Sequence, residues 1–495
     1  MDKKNCIMPN YPRKLYLIIS IVLFVFTFYI YTLHDNSFPT TDSIPNNIGT
    51  VNIIYNQSLN FNNIIDVIDK RGLIGITSKN SNGGYFSKTP VINSILAIPF
   101  FYLSDKINNI NSFNVELLFN DYYQIIGKYY ASFLTAISVS LLFFVVYKMY
   151  SNLIIAITST IIYAFCTFAY GTVSQANWEH APSFLLFILS YIFIFKYLQN
   201  QKYVYLIISA SLIFISYLVR PLNLVFIISL VLTLFLNKKY KKSLLVIAIF
   251  FIEYFLYSLL AKVIGIPDGY KNEIIGSLTN ININYSLKVL MDLLISPNYG
   301  LLIFYPVTIF SFIGMVIFLF RYKKEGTNSK NKFLLTYTFL IVGAIFFLNS
   351  IWWAWPGGYS YGPRLLAEAT IPLIFFLSYF FIRIKKNIPL IICIITLSFL
   401  SLFSNILCIY ANNTEWNTYY MKGPSNYLFS AWSKPYFIPF YLFEKRSLYT
   451  KVIKVNSNGQ KYLEQKTWLI EYKNKRLVKV FDTNRTLYIE NQTSL

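Results

Sequence analysis

Asp42, Lys88 and Arg364 are the side chains in this chain best suited to reaction chemistry. A carboxylate beside a hydroxyl can take its proton as that hydroxyl attacks. A guanidinium can hold a phosphate through two parallel hydrogen bonds, while an ammonium meets the same charge as a point. Arg220, just before Pro221, is a further cation of this kind. Each has a plainer reading beside it. Aspartate is a favoured helix N-cap, and lysine and arginine snorkel from apolar surfaces toward water.

The sequence around these residues is distinctive. Lys88 closes the run Tyr85-Phe86-Ser87-Lys88, and Arg364 ends residues 352–364, WWAWPGGYSYGPR. The tryptophans suit a membrane-interface belt, and Pro356-Gly357-Gly358 and Gly362-Pro363 specify tight turns. Asn177-Trp178-Glu179-His180-Ala181-Pro182 holds one of only two histidines. Glu179 and His180 are either a structural hydrogen-bonded pair or part of an acceptor site. Tyr85 and Tyr361 complete the candidate substrate contacts. The sequence contains no His/Cys/carboxylate cluster at metal-ligand spacing, no Ser-His-Asp order and no phosphate-binding Gly-rich loop. Neither a metal nor another cofactor is therefore expected. Tyrosine and lysine are common throughout, so aromatic-basic patches make no case for nucleic acid.

The elements that must position these groups are apolar. Of 495 residues, 55% are hydrophobic and 13% charged, with a net charge of +22; soluble domains carry about 25% charged residues. This composition predicts an all-α polytopic membrane bundle of about eleven transmembrane helices. The first span is expected at 15–33. The others are expected near 124–147, 152–170, 181–198, 202–219, 221–237, 243–264, 300–320, 333–351, 366–383 and 388–410. Lys148, Lys196, Lys202, Lys238, Lys239, Lys241, Lys242, Arg321, Lys323, Lys324, Lys330, Lys332, Arg383, Lys385 and Lys386 all fall in alternate loops, on the side of Lys3, Lys4, Arg13 and Lys14. That bias predicts a multi-pass plasma-membrane protein with a cytoplasmic N-terminus. Its first large loop (34–123) and its C-terminal region would then be extracytoplasmic. Residues 1–410 read as the transmembrane domain. Residues 411–495 read as a small region containing β-strands, because 466–473 and 476–490 alternate apolar and polar residues. Cys6, Cys166, Cys393 and Cys408 have no spacing that implies a disulfide framework.

Two juxtamembrane helices are expected in the first loop. Ile44, Ile48, Val51 and Tyr55 share a helical face after Asp42-Ser43, with Pro45 in the first turn. Val91, Ile92, Ile95, Leu96, Ile98 and Phe100 form a second apolar segment, which Pro99 limits or kinks.

Taken together, Asp42 and Tyr85-Phe86-Ser87-Lys88-Thr89-Pro90 resemble the first outer loop of the GT-C glycosyltransferases. The likeness is to the bacterial lipid-phosphate-dependent branch, which includes aminoarabinose transferases of lipid A and protein O-mannosyltransferases. There the first span leads to an acidic residue opening a juxtamembrane helix, and a Tyr-Phe-x-Lys-Pro-Pro-like stretch opens a second. This chain has Asp42-Ser43 where the family often has paired acids, and Thr89 where it has the first proline. The resemblance covers roughly the first 150 residues by pattern and the remainder by architecture. The 352–364 stretch is similar to a loop in bacterial membrane proteins of the same superfamily.

The resemblance implies sugar transfer from a polyprenyl-phosphate donor to an acceptor (protein, lipid or cell-wall glycan) on the extracytoplasmic face, with inversion. Asp42 would be the base, with Lys88, Arg364 and Arg220 on the donor phosphate; Tyr85, Glu179, His180 and Tyr361 would line the substrate. The lipid bilayer is the other partner. The rival expectations are a transporter or flippase for a lipid-linked saccharide, to which Glu253 inside an apolar segment lends slight support, and a glycan polymerase or ligase.

Overall fold

The computed structural model describes residues 13–34, 37, 40, 42–80, 82–119, 121–266, 281–296, 299–322, 329–352, 354–357, 361–383, 387–410, 447–455, 461–473 and 476–481. Chain contacts divide it into Met1–Ile409 and Tyr410–Leu495. The first unit begins with α1 (Arg13–Thr32), α2 (Ser43–Asn56), α3 (Ile65–Lys70), strands β1 (Thr77–Lys79) and β2 (Tyr85–Ser87), α4 (Val91–Ile107) and α5 (Val115–Phe119). Next come α6 (Asp121–Tyr150), α7 (Leu153–Phe165), α8 (Phe168–Gly171), α9 (His180–Asn200), α10 (Tyr203–Val219), α11 (Leu224–Leu236) and α12 (Tyr240–Ile264). It ends with α13 (Ile283–Ile295), α14 (Leu301–Phe304), α15 (Ile309–Arg321), α16 (Ser329–Ile351), α17 (Thr370–Arg383) and α18 (Ile388–Tyr410).

Among the described residues eight helices are long and apolar enough to cross a membrane. They are Lys14–Thr32, Asp121–Tyr150, Leu153–Gly171, His180–Asn200, Tyr240–Ile264, Lys330–Ile351, Arg364–Arg383 and Ile388–Ile409. Three shorter apolar helices, Tyr203–Val219, Pro221–Leu236 and Pro306–Arg321, accompany them. Helices suit lipid because each satisfies its own backbone polar groups. The flanks are correspondingly apolar. On α12, Phe251, Ile252, Phe255 and Leu256 are exposed, as are Leu17, Ile18, Ile21 and Val22 on α1.

The two ends of this bundle differ. One is basic and aromatic: the Lys239 ammonium lies 5.5 Å from the Tyr197 ring and 5.4 Å from Phe333, and Lys242 donates to Gln201 at 3.3 Å. At the other end several helices lose regular α geometry. Short 3-10 turns at Pro221–Asn223, Pro306–Thr308 and Arg364–Ala369 lead into α11, α15 and α17. Proline at the first position suits such starts, since its missing N–H costs nothing there. Between α7 and α8 the helix breaks, and Asn405 of α18 fills the gap. Its Nδ2 donates to the carbonyls of Phe165 and Thr167, and its Oδ1 accepts from the Gly171 amide. A buried break is tolerable once its polar groups are satisfied in this way.

The first loop packs onto this irregular end. The sequence places Ile48 and Val51 on one face of α2, and both are buried. The opposite, polar face is buried as well: Asn46 donates to the Asn177 carbonyl and Asn47 to Gln124 Oε1. So α2 is an interior element here, its amides replacing water as partners. Gly49 permits its contact with α4, because a Cβ there would lie 2.4 Å from Ser94 Oγ. Pro99 does not limit α4, which continues to Ile107. The far turn is pinned instead: Tyr55, Tyr122 and Tyr123 all donate to the buried Asp105 carboxylate. Strands β1 and β2 pair antiparallel, with Ser78 opposite Phe86.

In the second unit β3 (Ser447–Val455), β4 (Lys461–Lys473) and β5 (Arg476–Phe481) form an antiparallel sheet in the order β3-β4-β5. Its register shifts between Glu471 and Tyr472.

Candidate functional site

Asp42 caps nothing. It precedes α2, but its side chain makes no capping hydrogen bond. Thr40 does that work: its Oγ1 accepts from the amides of Asp42 and Ser43, and Ser43 Oγ accepts from the Thr40 amide in return. This reciprocal arrangement resembles a capping box, and it releases the Asp42 carboxylate for another partner.

That partner is Arg364. Its Nη2 donates to Asp42 Oδ2 at 2.7 Å and to the Gly357 carbonyl at 3.1 Å. The turn before Arg364 depends on Gly362, whose φ of +68° suits glycine and whose missing Cβ would sit 3.1 Å from the Phe304 ring. The guanidinium also lies 5.0 Å from the ring centroid of buried Trp178, whose Nε1 donates to Thr40 Oγ1. Thr40 thus serves both α2 and the tryptophan that backs Arg364.

A second buried cluster adjoins this pair. His180 Nδ1 lies 2.7 Å from Glu368 Oε1, and Arg220 Nε lies 3.4 Å from the same oxygen. Arg220 Nη1 lies 3.2 Å from each ring nitrogen of His180 and 4.0 Å from Glu179 Oε2. Both arginines are buried, at 8% exposure for Arg220 and 9% for Arg364. Each is tied to a carboxylate on one side. On the other, Arg220 Nη2 and Arg364 Nη1 take no partner among the described residues.

The electrostatics follow from burial and charge. Burial pushes the Asp42 carboxyl up, but Arg364 more than reverses this by charge and hydrogen bond, with Arg220 and His180 adding to its pull. Asp42 is held below the usual carboxylate range. For Glu179 burial wins: it raises the carboxyl to about 8, against the pull of Arg220 and with a push from Asp42. At neutral pH Asp42 is an ionised acceptor, and Glu179 is mostly a protonated donor. Such a site can accept a proton from a hydroxyl and bind an anion through two partly free guanidiniums.

The structure therefore unites Asp42, Arg364, Arg220, Glu179 and His180. It does not bring Lys88, Tyr85 or Tyr361 into contact with them. The Lys88 side chain is exposed, and its neighbour Thr89 donates to Asn46 of α2 at 2.7 Å, which anchors the backbone there. Tyr85 lies under the Lys79 ammonium at 5.4 Å. Tyr361 is buried, with its hydroxyl 3.2 Å from Ser404 Oγ and its ring against Phe304. Among the described residues no group of three or more His, Cys, Asp or Glu could hold a metal ion.

Glu368, Trp178 and Thr40 were missed by reading the sequence. Glu368 had a signal: a carboxylate in an otherwise apolar run is expensive unless paired, and Arg364 lies four residues before it. Trp178 and Thr40 had none, because their roles depend on contacts distant in the chain. No family model matches this chain, and no curated protein matches its sequence.

Proposed function

We propose that this protein is a membrane glycosyltransferase of GT-C type. It moves a sugar from a polyprenyl-phosphate donor to an acceptor at the extracytoplasmic face, with inversion and with Asp42 as base. The observation that carries this reading is the contact of Asp42 with Arg364 beside Arg220. Two carboxylates, Asp42 and Glu368, and two buried guanidiniums with nitrogens that take no partner among the described residues stand together at the irregular end of an apolar bundle. Arg364 and Arg220 stabilise the departing phosphate, the group on which negative charge develops. Asp42 receives the acceptor proton. Lys88 meets the donor from the exposed edge of the site, and Glu179 contributes a hydrogen-bond donor.

Counting the three shorter apolar helices with the eight long ones gives eleven spans. On this reading the lysine-rich loops lie in the cytoplasm and the first loop lies on the extracytoplasmic side, as the charge bias favours. The apolar flanks leave room for a prenyl chain lying in the bilayer. A transporter of the same saccharide would draw instead on Glu253, a membrane-embedded acid that receives a hydrogen bond from Ser211.

The test supplies radiolabelled polyprenyl-phosphate sugar to purified protein in detergent, with an envelope fraction as acceptor. A transferase releases polyprenyl phosphate and labels the acceptor without a sealed compartment. Movement of label only across sealed vesicles means transport and overturns the reading.

A further inference from the structure

The run Lys238-Lys239-Tyr240-Lys241-Lys242 opens α12 at the basic end of the bundle. A tight turn sorts its lysines. Lys238 adopts a left-handed φ of 58°, and the amides of Lys238 and Lys239 return to the carbonyls of Phe235 and Leu234. Lys238 and Lys241 are exposed, whereas Lys239 and Lys242, three positions apart, are half-buried. Both inner ammoniums lie against the ring of buried Tyr197, at 5.5 Å and 5.0 Å from its centroid. Lys239 also meets Phe333 at 5.4 Å, and Lys242 meets Tyr203 at 5.6 Å.

These two cations lack a counter-charge. Neither pairs with a carboxylate among the described residues, and Lys242 has only the neutral Gln201 oxygen at 3.3 Å. Burial, and after it the Lys242 charge, lowers the Lys239 ammonium below the usual lysine range. The start of α12 has no acidic residue in its first turn and no side-chain cap. Its partial positive charge of about one half is offset by the end of α9, where Tyr197 and Gln201 lie, so two full charges remain. The Tyr197 hydroxyl is buried and has no hydrogen-bond partner among the described residues. On the adjoining ends of α11 and α12, Leu232, Phe235, Leu236 and Tyr240 are exposed.

We propose that Lys239 and Lys242, with the Tyr197 hydroxyl beside them, bind the phosphate of an anionic phospholipid at the basic end of the bundle. A phosphodiester supplies the missing negative charge and accepts from both ammoniums, and its acyl chains cover the exposed apolar side chains of α11 and α12. A soluble phosphate would meet the charge and leave that apolar surface bare. Tyr197, the two lysines and Phe333 belong to α9, the start of α12 and α16, so the lipid joins three helices. Roughly 25 Å of α9 separates Tyr197 from His180. The site is therefore distinct from the one around Asp42 and does not depend on the transferase reading.

Purified protein in a zwitterionic detergent is titrated with phosphatidylglycerol, with phosphatidylcholine of the same chains or with inorganic phosphate, and bound ligand is counted by native mass spectrometry. Wild type is expected to bind phosphatidylglycerol at least about tenfold more tightly than phosphatidylcholine, the size of one hydrogen bond to a charged group. The double variant Lys239→Gln/Lys242→Gln is expected to lose that preference. Lys238→Gln/Lys241→Gln removes the same charge from the exposed pair and should keep the preference within about threefold, since exposed charges are screened. Tyr197→Phe keeps the ring and removes the unpartnered hydroxyl. It should melt no lower than wild type without lipid, yet bind phosphatidylglycerol several-fold more weakly. Wild type that does not distinguish the two lipids overturns the proposal, as does an equal loss from the exposed and the half-buried pairs. Inorganic phosphate bound as tightly as phosphatidylglycerol overturns the lipid as occupant. Should the inner double variant fail to fold, Tyr197→Phe decides: affinity equal to that of wild type overturns the site.

Discussion

Asp42 and Arg364 lie 322 positions apart and meet through a single 2.7 Å contact between Oδ2 and Nη2. On the proposed transferase reading, this contact pairs the base with a phosphate-binding guanidinium. An incoming phosphate competes with Asp42 for the same guanidinium. Under that reading, donor binding would relieve the influence of Arg364 that keeps Asp42 weakly basic and so strengthen it as a base.

Asp42→Asn keeps an oxygen for Arg364 and removes the charge. Transfer should fall on the order of 10²- to 10⁴-fold. Affinity for polyprenyl phosphate should hold or rise, because a competing carboxylate has gone. Parallel rate and binding measurements on the same preparation check this, and loss of both together would argue against a base.

Arg364→Ala should shift the pH dependence of transfer in a defined direction. With Arg364 present, Asp42 stays ionised to lower pH than an ordinary carboxylate. Without it, burial dominates, the carboxyl rises, and the acid limb of the rate profile moves to higher pH. The same pairing contributes stability above the unfolded carboxylate value, lost as pH falls through the depressed folded value. A rate profile whose acid limb stays in place in Arg364→Ala would remove Asp42 as its source.

Glu179 carries the opposite sign. Its carboxyl is raised by burial, from an ordinary 4.5 to about 8. Its protonated form therefore favours the fold at low pH, and this contribution is lost as pH rises between those values. Glu179→Gln should melt higher than wild type at pH 8–9 and close to it at pH 5, by thermal denaturation in one detergent. Equal melting at both pH values would contradict the burial assigned here.

Gly362→Ala tests geometry without altering charge. A Cβ at a φ of +68°, with Phe304 3.1 Å away, strains the turn that delivers Arg364. A cost of about 1 kcal/mol or more is expected, together with weaker binding of polyprenyl phosphate. Unchanged affinity would mean that the turn does not set the arginine.

The bundle was legible in the sequence because lipid demands long apolar runs and leaves few other solutions for the backbone. Arg364 and Asp42 stood out individually, since charge beside apolar sequence is conspicuous. The resemblance led us to expect both in one site, but their direct contact was not legible, because it joins the start of α2 to the turn before α17, 322 positions away. The 3.6-residue period found Ile48 and Val51, yet it gives no sign that Asn46 and Asn47 are buried too. Periodicity ranks faces by polarity, and a polar face that covers a polar site defeats it. The break after Phe165 escaped for a similar reason: its stabiliser, Asn405, lies about 240 residues away.

The most direct measurement is release of polyprenyl phosphate from a labelled polyprenyl-phosphate sugar by purified wild type and Asp42→Asn, side by side in detergent with the same envelope acceptor. If Asp42 is the base, wild type labels the acceptor and releases the lipid phosphate, while Asp42→Asn binds the donor and does neither. Equal release by both proteins would contradict it.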